Sequence, residues 1–454
     1  MFSTKTYIQR RKELASRVGS GRLLFLGNDQ APMNYADNTY SFRQDSTFLY
    51  YFGLDSEGLA AVIDIDDDRE IIFGNDPTID DIVWMGTQPP LAEKAERVGV
   101  RETLPSARLA DFLKGKEVHY LPPYRGEHQV KLQALLGIAP AAQAEGASIP
   151  FIRAVVDMRN HKTEEEIAEI EKAVDVSVDM HVAMMRMVRP GIHEAEVRAA
   201  VTAIAQQQEG GDISFPVIAT THGQTLHNHG YIHTAQAGDM FLLDAGAEVA
   251  SHYCGDLSST YPVSGSFDER QRIIFDICLN AHRTAVAALA PGVPFRDVHI
   301  KACTAIAEGM KSIGLMKGDI TEAVEAGAHA MFFPCGLGHM MGLDVHDMEN
   351  LGENYVGYDE GQERAKQLGL GSLRMARKLV PGQVITDEPG IYFIPALIAQ
   401  WKAAGTDKGR VCYDKLEEYL DFGGIRLEDD VLVTADGARR LGSRSPRSAA
   451  ISRS

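Results

Sequence analysis

The chain has 454 residues, about 44% of them apolar, enough to bury a large core and to favour two domains over one. Its formal charge is -18, from 63 acidic against 45 basic residues. That balance argues against a nucleic-acid partner, because phosphate contacts need a basic surface.

The opening stretch, MFSTKTYIQRRKELASRVG, carries charges but no apolar core of the kind a signal peptide needs, and it reads as an amphipathic helix. RLLFLG at 22–27, LAAVIDID at 59–66 and REIIFG at 69–74 are expected to be strands, with helices at 107–115 and 129–137. These make a small α/β domain. The small-residue stretch APAAQAEGASIP at 139–150 marks its end.

A clear helix follows. Thr163 is placed to cap it and Glu166 to close a capping box, and the helical pattern runs to about 188 before Pro190-Gly191 stops it. A second helix covers 193–208 and ends at Gly210-Gly211. FPVIATT at 215–221 and DMFLLDAGAEV at 239–249 read as strands, and a long helix is expected over 268–290. PGVPF at 291–295 turns into another helix. A Pro-Gly turn followed by a helix and later strands thus occurs twice, a hint of two similar halves. The last third holds CGLGHMMGLDVHD at 335–347, LVPGQVITDEPGIYF at 379–393 and FGGIRLEDDVLVT at 422–434, with an irregular or helical excursion at 396–420. GSRSPRSAAISRS, at the end, is polar and basic, the composition of a disordered tail. No run of about 18 apolar residues is present, so no membrane span is expected. Cys254, Cys278, Cys303, Cys335 and Cys412 are scattered, odd in number and without a CxxC pair, which fits a reducing compartment.

Several acidic residues stand where apolar strand patterns should bury them. Asp244 ends the apolar run in MFLLDAG, and Asp256 precedes the YPV run. Glu388 lies between VITD and Pro389-Gly390, and Glu428 follows Arg426 by two positions, which puts the two on one face of a strand. A buried carboxylate is costly unless it is paired or bound to a cation. His339 lies among glycines that allow close backbone approach. Taken singly, each acidic residue also fits a strand edge or a surface ion pair, and His339 an ordinary structural histidine. Taken together, four carboxylates and one imidazole are a mostly hard donor set, suited to Mn, Fe, Co or Zn. Carboxylates that bridge two cations about 3.5–4 Å apart can activate a water between them.

FRQDSTFLYYFG at 42–53, LLDAGAEVASHYCGDLSSTYPV at 242–263, GLGHMMGLDVHD at 336–347, SLRMARKLVPGQVITDEPGIYF at 372–393 and FGGIRLEDDVLVT at 422–434 together resemble the pita-bread metallopeptidases, in the branch containing prolidase and aminopeptidase P. The resemblance spans nearly the whole chain. It implies a mixed α/β (α+β) architecture: a creatinase-like N-terminal domain over 1–155, a pita-bread catalytic domain over 156–440 and a tail over 441–454. It also implies that Asp244, Asp256, His339, Glu388 and Glu428 bind two divalent metal ions, with manganese expected and cobalt, zinc or iron open. Asp256 and Glu428 would bridge, Asp244 would bind one ion, and His339 and Glu388 would complete the other. Glu388 would also shuttle the proton.

His227 and His346 match histidines that would donate to substrate and to the tetrahedral intermediate. His229 competes with His227 for that match. Arg426 matches an arginine beside the last glutamate, and Arg374 one that receives the free carboxylate of a dipeptide, for which a guanidinium fork is suited.

The sequence departs from the family pattern in three places. Cys335 stands where the family often has histidine, and cysteine is a weaker donor. The Asp244–Asp256 interval is one residue longer than the common pattern, which a bulge in residues 250–253 would absorb. Ser258-Ser259-Thr260 replaces the usual Thr-Arg-Thr.

The expected reaction is hydrolysis of Xaa-Pro dipeptides by a hydroxide bridging two metals. The alternatives are an aminopeptidase P acting on longer proline-containing peptides, a creatine-type C–N hydrolase, and a metal-free binding protein on the same scaffold. The resemblance further implies a cytoplasmic homodimer.

Overall fold

A computed structural model describes residues 2–444. The chain forms two compact units. One runs to Arg159 and also takes in Met348–Tyr355; the other comprises Asn160–Asp347 and the chain from Val356 onward.

The first unit is built on a five-stranded sheet: β1 (Arg22–Leu26), β2 (Ala60–Asp64), β3 (Arg69–Gly74), β4 (Glu102–Pro105) and β5 (Val118–His119), in the order β4-β3-β2-β1-β5. The central strands are antiparallel neighbours, while the β1–β5 and β3–β4 pairs are parallel. Leu23, Phe25, Val62, Ile71 and Phe73 fill its core with Phe48, Tyr51, Phe52 and Phe151. The helix Thr4–Val18 anticipated at the N-terminus is present, capped by Ser3. Its Arg11 is buried, and its guanidinium donates to Glu70, Tyr51 O and Val98 O, so the charge is fully paired.

The second unit repeats one plan twice. The helix Glu164–Met187 begins at the expected Thr163–Glu166 capping box, with both reciprocal bonds made. It packs on Glu194–Gln206. The helix Glu269–Ala288 likewise packs on Phe295–Ser312. Within each pair the connecting turn carries a left-handed glycine, Gly191 at φ 88° and Gly292 at φ 83°.

Strands follow each helix pair. In the first half these are β6 (Asp212–Ile213), β7 (Ile218–Thr220), β8 (Met240–Asp244), β9 (Ala247–Glu248) and β10 (Ser258–Pro262). In the second half they are β11 (Val384–Asp387), β12 (Gly390–Tyr392), β13 (Gly424–Arg426), β14 (Asp429–Val433) and β15 (Ala438–Arg440). They form the sheets β10-β8-β7 and β11-β14-β15, with the short pairs β12-β13 and β6-β9. The weak sign of two similar halves in the sequence therefore corresponds to real architecture.

Register places the acidic residues. β8 pairs antiparallel with β10 so that Asp244 faces Ser258, and β11 pairs with β14 so that Asp387 faces Asp429. The strand anticipated over 239–249 is broken at Gly246 into β8 and β9. A side chain at Gly246 would collide with the Gly255 carbonyl across the hairpin, so only glycine lets the two arms approach. The longer Asp244–Asp256 interval is housed in the tip of this hairpin, where His252 takes φ 67° and its imidazole meets Glu248 at 2.6 Å.

Residues 396–420 are partly helical, as expected, with helices at Pro395–Ala404 and Tyr413–Leu416. Of the tail expected from 441, residues 445–454 lie outside the described residues. Residues 441–444 are held: Leu441 is buried, and Ser443 and Arg444 bond to Asp175 and Asp179.

Candidate metal centre

Five backbone segments of the second unit deliver the acidic residues and the histidine to one place. Asp244 ends β8, and Asp256 lies two residues before the first residue of β10. His339 lies in an extended segment stitched to β11: its N–H bonds to Thr386 Oγ1 at 3.0 Å, and its carbonyl accepts from Thr386 N at 2.9 Å. Gly338 permits this, because a Cβ there would strike the Thr386 carbonyl. Glu388 follows β11, its N–H bonded to Leu337 O at 2.8 Å. Glu428 lies between β13 and β14, its N–H bonded to Ser258 O at 3.0 Å, which ties the two halves together.

Asp256, His339 and Glu428 each offer a ligand atom within 4.8 Å of the others. All are buried, at 5%, 5% and 3% exposure. His339 Nε2 stands 3.4 Å from Asp256 Oδ2 and 3.7 Å from Glu388 Oε1. His339 Nδ1 donates to the Met340 carbonyl at 3.0 Å, so Nε2 is the ring nitrogen that faces the carboxylates.

Asp244 is engaged differently. Arg426 Nη2 donates to its Oδ2 at 2.6 Å. The same guanidinium reaches Ser258 Oγ at 3.0 Å, Tyr392 Oη at 2.9 Å and Leu226 O at 3.3 Å, and Ser258 Oγ in turn donates to Glu428 Oε2 at 2.8 Å. One buried cation thus orients a carboxylate from each half.

The electrostatics are unfavourable for anions alone. Burial first, and the neighbouring Asp256, Glu388 and Asp244 charges next, push Glu428 well above the usual carboxylate range. Burial likewise raises Glu388 to about 7, against the opposing pull of His339 and Arg426. Asp256 is raised by burial, although its bond with His339 works the other way. Asp256 Oδ1 has no hydrogen-bond partner. Crowded, desolvated carboxylates with an unsatisfied oxygen and an imidazole lone pair facing them fit divalent cations on donor chemistry and on charge.

His346 is half-buried, its ring 4.0 Å from that of His339. His227 is exposed beside the cluster. Desolvation and then the Arg426 charge lower its pKa, and Arg374 adds to the lowering, so both arginines lie within electrostatic reach of it. His229 turns elsewhere, toward Val217 O and Tyr231. Cys335 also faces the cluster. Its thiol is pushed up to about 12, by burial first and the Glu388 charge second, and it bonds to Tyr392.

Sequence reasoning missed a ring of supports. Asp430, fully buried, accepts the Asp256 N–H at 2.9 Å. His282 Nε2 sits 3.2 Å from Asp429 Oδ2 and 3.5 Å from Asp387 Oδ2. The available signal was that both strand-end glutamates have aspartate neighbours in sequence, Asp387 before Glu388 and Asp429-Asp430 after Glu428, in runs otherwise apolar.

Residues 168–435 match the model of metallopeptidase family M24, and residues 7–119 match that of the aminopeptidase P N-terminal domain. The chain is 30% identical over 449 residues to a rat Xaa-Pro dipeptidase, covering 95% of this chain and 88% of the rat protein. It is 28% identical to a probable Xaa-Pro aminopeptidase of Metarhizium acridum, covering 95% and 89%. Zinc-substituted aminopeptidase P of Escherichia coli, solved in complex with product, superposes with a TM-score of 0.80 at 26% identity, over 99% of this chain and 98% of that one.

Proposed function

Because this chain belongs to metallopeptidase family M24, we propose that it hydrolyses Xaa-Pro dipeptides at a two-cation centre held by Asp244, Asp256, His339, Glu388 and Glu428. The observation that carries this reading is the buried cluster of Asp256, His339 and Glu428, with Glu388 3.7 Å from the same imidazole nitrogen. Asp256 and Glu428 would hold both cations, Asp244, His339 and Glu388 would complete the ligand set, and manganese is the expected ion. When bound, divalent cations supply Lewis acidity and lower the pKa of water to about 7.

The chain's own groups then have distinct tasks. Glu388, at 22% side-chain exposure the most accessible of the carboxylates in contact with His339, takes the proton of the attacking water and returns it to the departing proline nitrogen. His227 and His346 donate to the oxygen on which negative charge develops. Arg374 receives the free carboxylate of the dipeptide. Arg426 holds Asp244 in place through its 2.6 Å bond and does not itself exchange protons. No helix among the described residues is long and apolar enough to cross a membrane. We place the enzyme in the cytoplasm as a homodimer.

A second reading, removal of the residue preceding proline from longer peptides, is favoured by the likeness to the Escherichia coli aminopeptidase P structure. The discriminating experiment compares Xaa-Pro with Xaa-Pro-Xaa-Xaa on enzyme reconstituted with Mn2+, Co2+ or Zn2+. A kcat/KM for the dipeptide well above that for the tetrapeptide, lost on Arg374→Met, is expected. Preferential turnover of the tetrapeptide would replace the dipeptidase reading with the aminopeptidase one. Absence of cation binding in all three arms would overturn both.

A further inference from the structure

The carboxylate cluster leaves a second group of ligand-type side chains unused. His299 and Cys303 lie one helical turn apart on Phe295–Ser312 and so share a face. His329 lies in the short 3-10 turn Ala328–Met331. All three are fully buried, at 0% exposure. Cys303 Sγ is 3.4 Å from His299 Nε2, and one ligand atom from each of the three residues lies within 4.8 Å of the others.

The polar atoms here are poorly satisfied. Nδ1 of His299 and both ring nitrogens of His329 lack hydrogen-bond partners. Backbone groups of Gly369 and Val324 come near enough to favour the charged imidazoles, but neither reaches hydrogen-bond geometry. Desolvation dominates and lowers the two histidines to about 3 and about 4, so both are neutral and each keeps a lone pair. Buried nitrogens without partners are uncommon in folded proteins and call for an explanation.

We propose that His299, Cys303 and His329 bind one transition-metal cation of borderline-to-soft character, zinc(II) being the occupant. The donors are two imidazoles and one thiol, against the oxygen-rich set of the carboxylate cluster, so the two sites select different cations. At zinc–sulfur about 2.3 Å and zinc–nitrogen about 2.0–2.1 Å, tetrahedral geometry spaces sulfur and nitrogen about 3.5 Å apart. The observed 3.4 Å is close to that edge. On binding, the Cys303 S–H bond breaks, a zinc–sulfur bond forms, and the proton is released to solvent. The ion would clamp the Phe295–Ser312 helix to the turn that leads into His339.

Cobalt(II) is the probe, because a thiolate bound to it gives an intense near-ultraviolet charge-transfer band and oxygen ligands do not. The full chain, produced in cobalt-supplemented medium, is expected to show that band. Cys335→Ser is expected to retain it, which separates Cys303 from the other thiol near the carboxylates. Cys303→Ser is expected to lose it, along with one equivalent of metal per chain. Protein produced in zinc is expected to keep that equivalent through dialysis. A wild-type chain with cobalt bound but no thiolate band would overturn the proposal without any variant having to fold. So would a band that survives Cys303→Ser, or one that disappears with Cys335→Ser alone.

Discussion

Arg426 distributes its donors over Asp244, Ser258, Tyr392 and the Leu226 carbonyl, and through Ser258 it reaches Glu428. A lysine has the charge but not the fork, so it can hold one of these groups and not all of them. Arg426→Lys is expected to weaken cation affinity about 10–100-fold, the usual scale for losing a group that orients ligands. Isothermal titration with Mn2+ or Co2+ measures this, and an unchanged affinity would remove Arg426 from its positioning role. Glu388→Gln keeps shape but cannot take up a proton. It is expected to lower kcat about 10²–10⁴-fold while a proline peptide still binds, which steady-state kinetics and equilibrium binding measure separately. Asp244, Asp256, His339, Glu388 and Glu428 were readable in the sequence because acidic residues interrupt apolar strands there and the surrounding motifs are shared with a known family. Asp430 was not. Its partner is the backbone N–H of Asp256, and a bond to backbone leaves no trace in residue types.

At the level of elements, close backbone approach shapes the centre. Gly246 lets the β8–β9 arm lie against Gly255, and Gly255 directly precedes Asp256. Gly246→Ala is therefore expected to destabilise the fold by about 1–3 kcal/mol, the scale of overpacking, and to reduce cation content. Thermal unfolding and metal analysis check the two effects. If stability falls and cation content holds, the hairpin does not govern the placement of Asp256. Helix boundaries were legible because capping is local: Thr163 and Glu166 announce the start of their helix three residues apart. The pairing of β6 with β9 and of β12 with β13 was not, since segments of two or three residues carry no periodicity that fixes a partner. Nor was the path of 335–347, which is set by bonds from His339 to Thr386 rather than by its own residues.

For the molecule as a whole, the sequence pattern indicated two domains, yet Met348–Tyr355 joins the first unit from far along the chain. No composition change marks that short segment, so only three-dimensional packing reveals it. The acidic balance also has a consequence at this scale. With cations removed, Glu388 titrates near 7 rather than near 4.5, and Asp256 and Glu428 are raised as well. The folded state then binds more protons than the unfolded state between those values, so stability must fall as pH rises through that window. His339, also raised, acts in the same direction. The chelated protein is expected to melt higher at pH 5.5 than at pH 7.5, and the cation-loaded protein to lose or reverse that trend. Cations that bind only the folded state add stability by mass action, about 2.7 kcal/mol at a hundredfold excess over Kd. Calorimetry across pH with and without chelator tests both statements, and a metal-free melting temperature that rises with pH would contradict the first.

The residues of the proposed two-cation centre come from positions 244, 256, 339, 388 and 428. No two neighbours along the chain form a pre-assembled pocket, and long loops must close before any ion could meet more than one ligand. Divalent ions therefore cannot template this fold as zinc templates a small finger domain. Cation capture at this centre is therefore expected to follow folding rather than to drive it. The ion acquired is then decided by the finished pocket and by whichever metals the compartment holds at that moment. Preparations of the same polypeptide from differently supplied cells would carry different metals and, with them, different turnover.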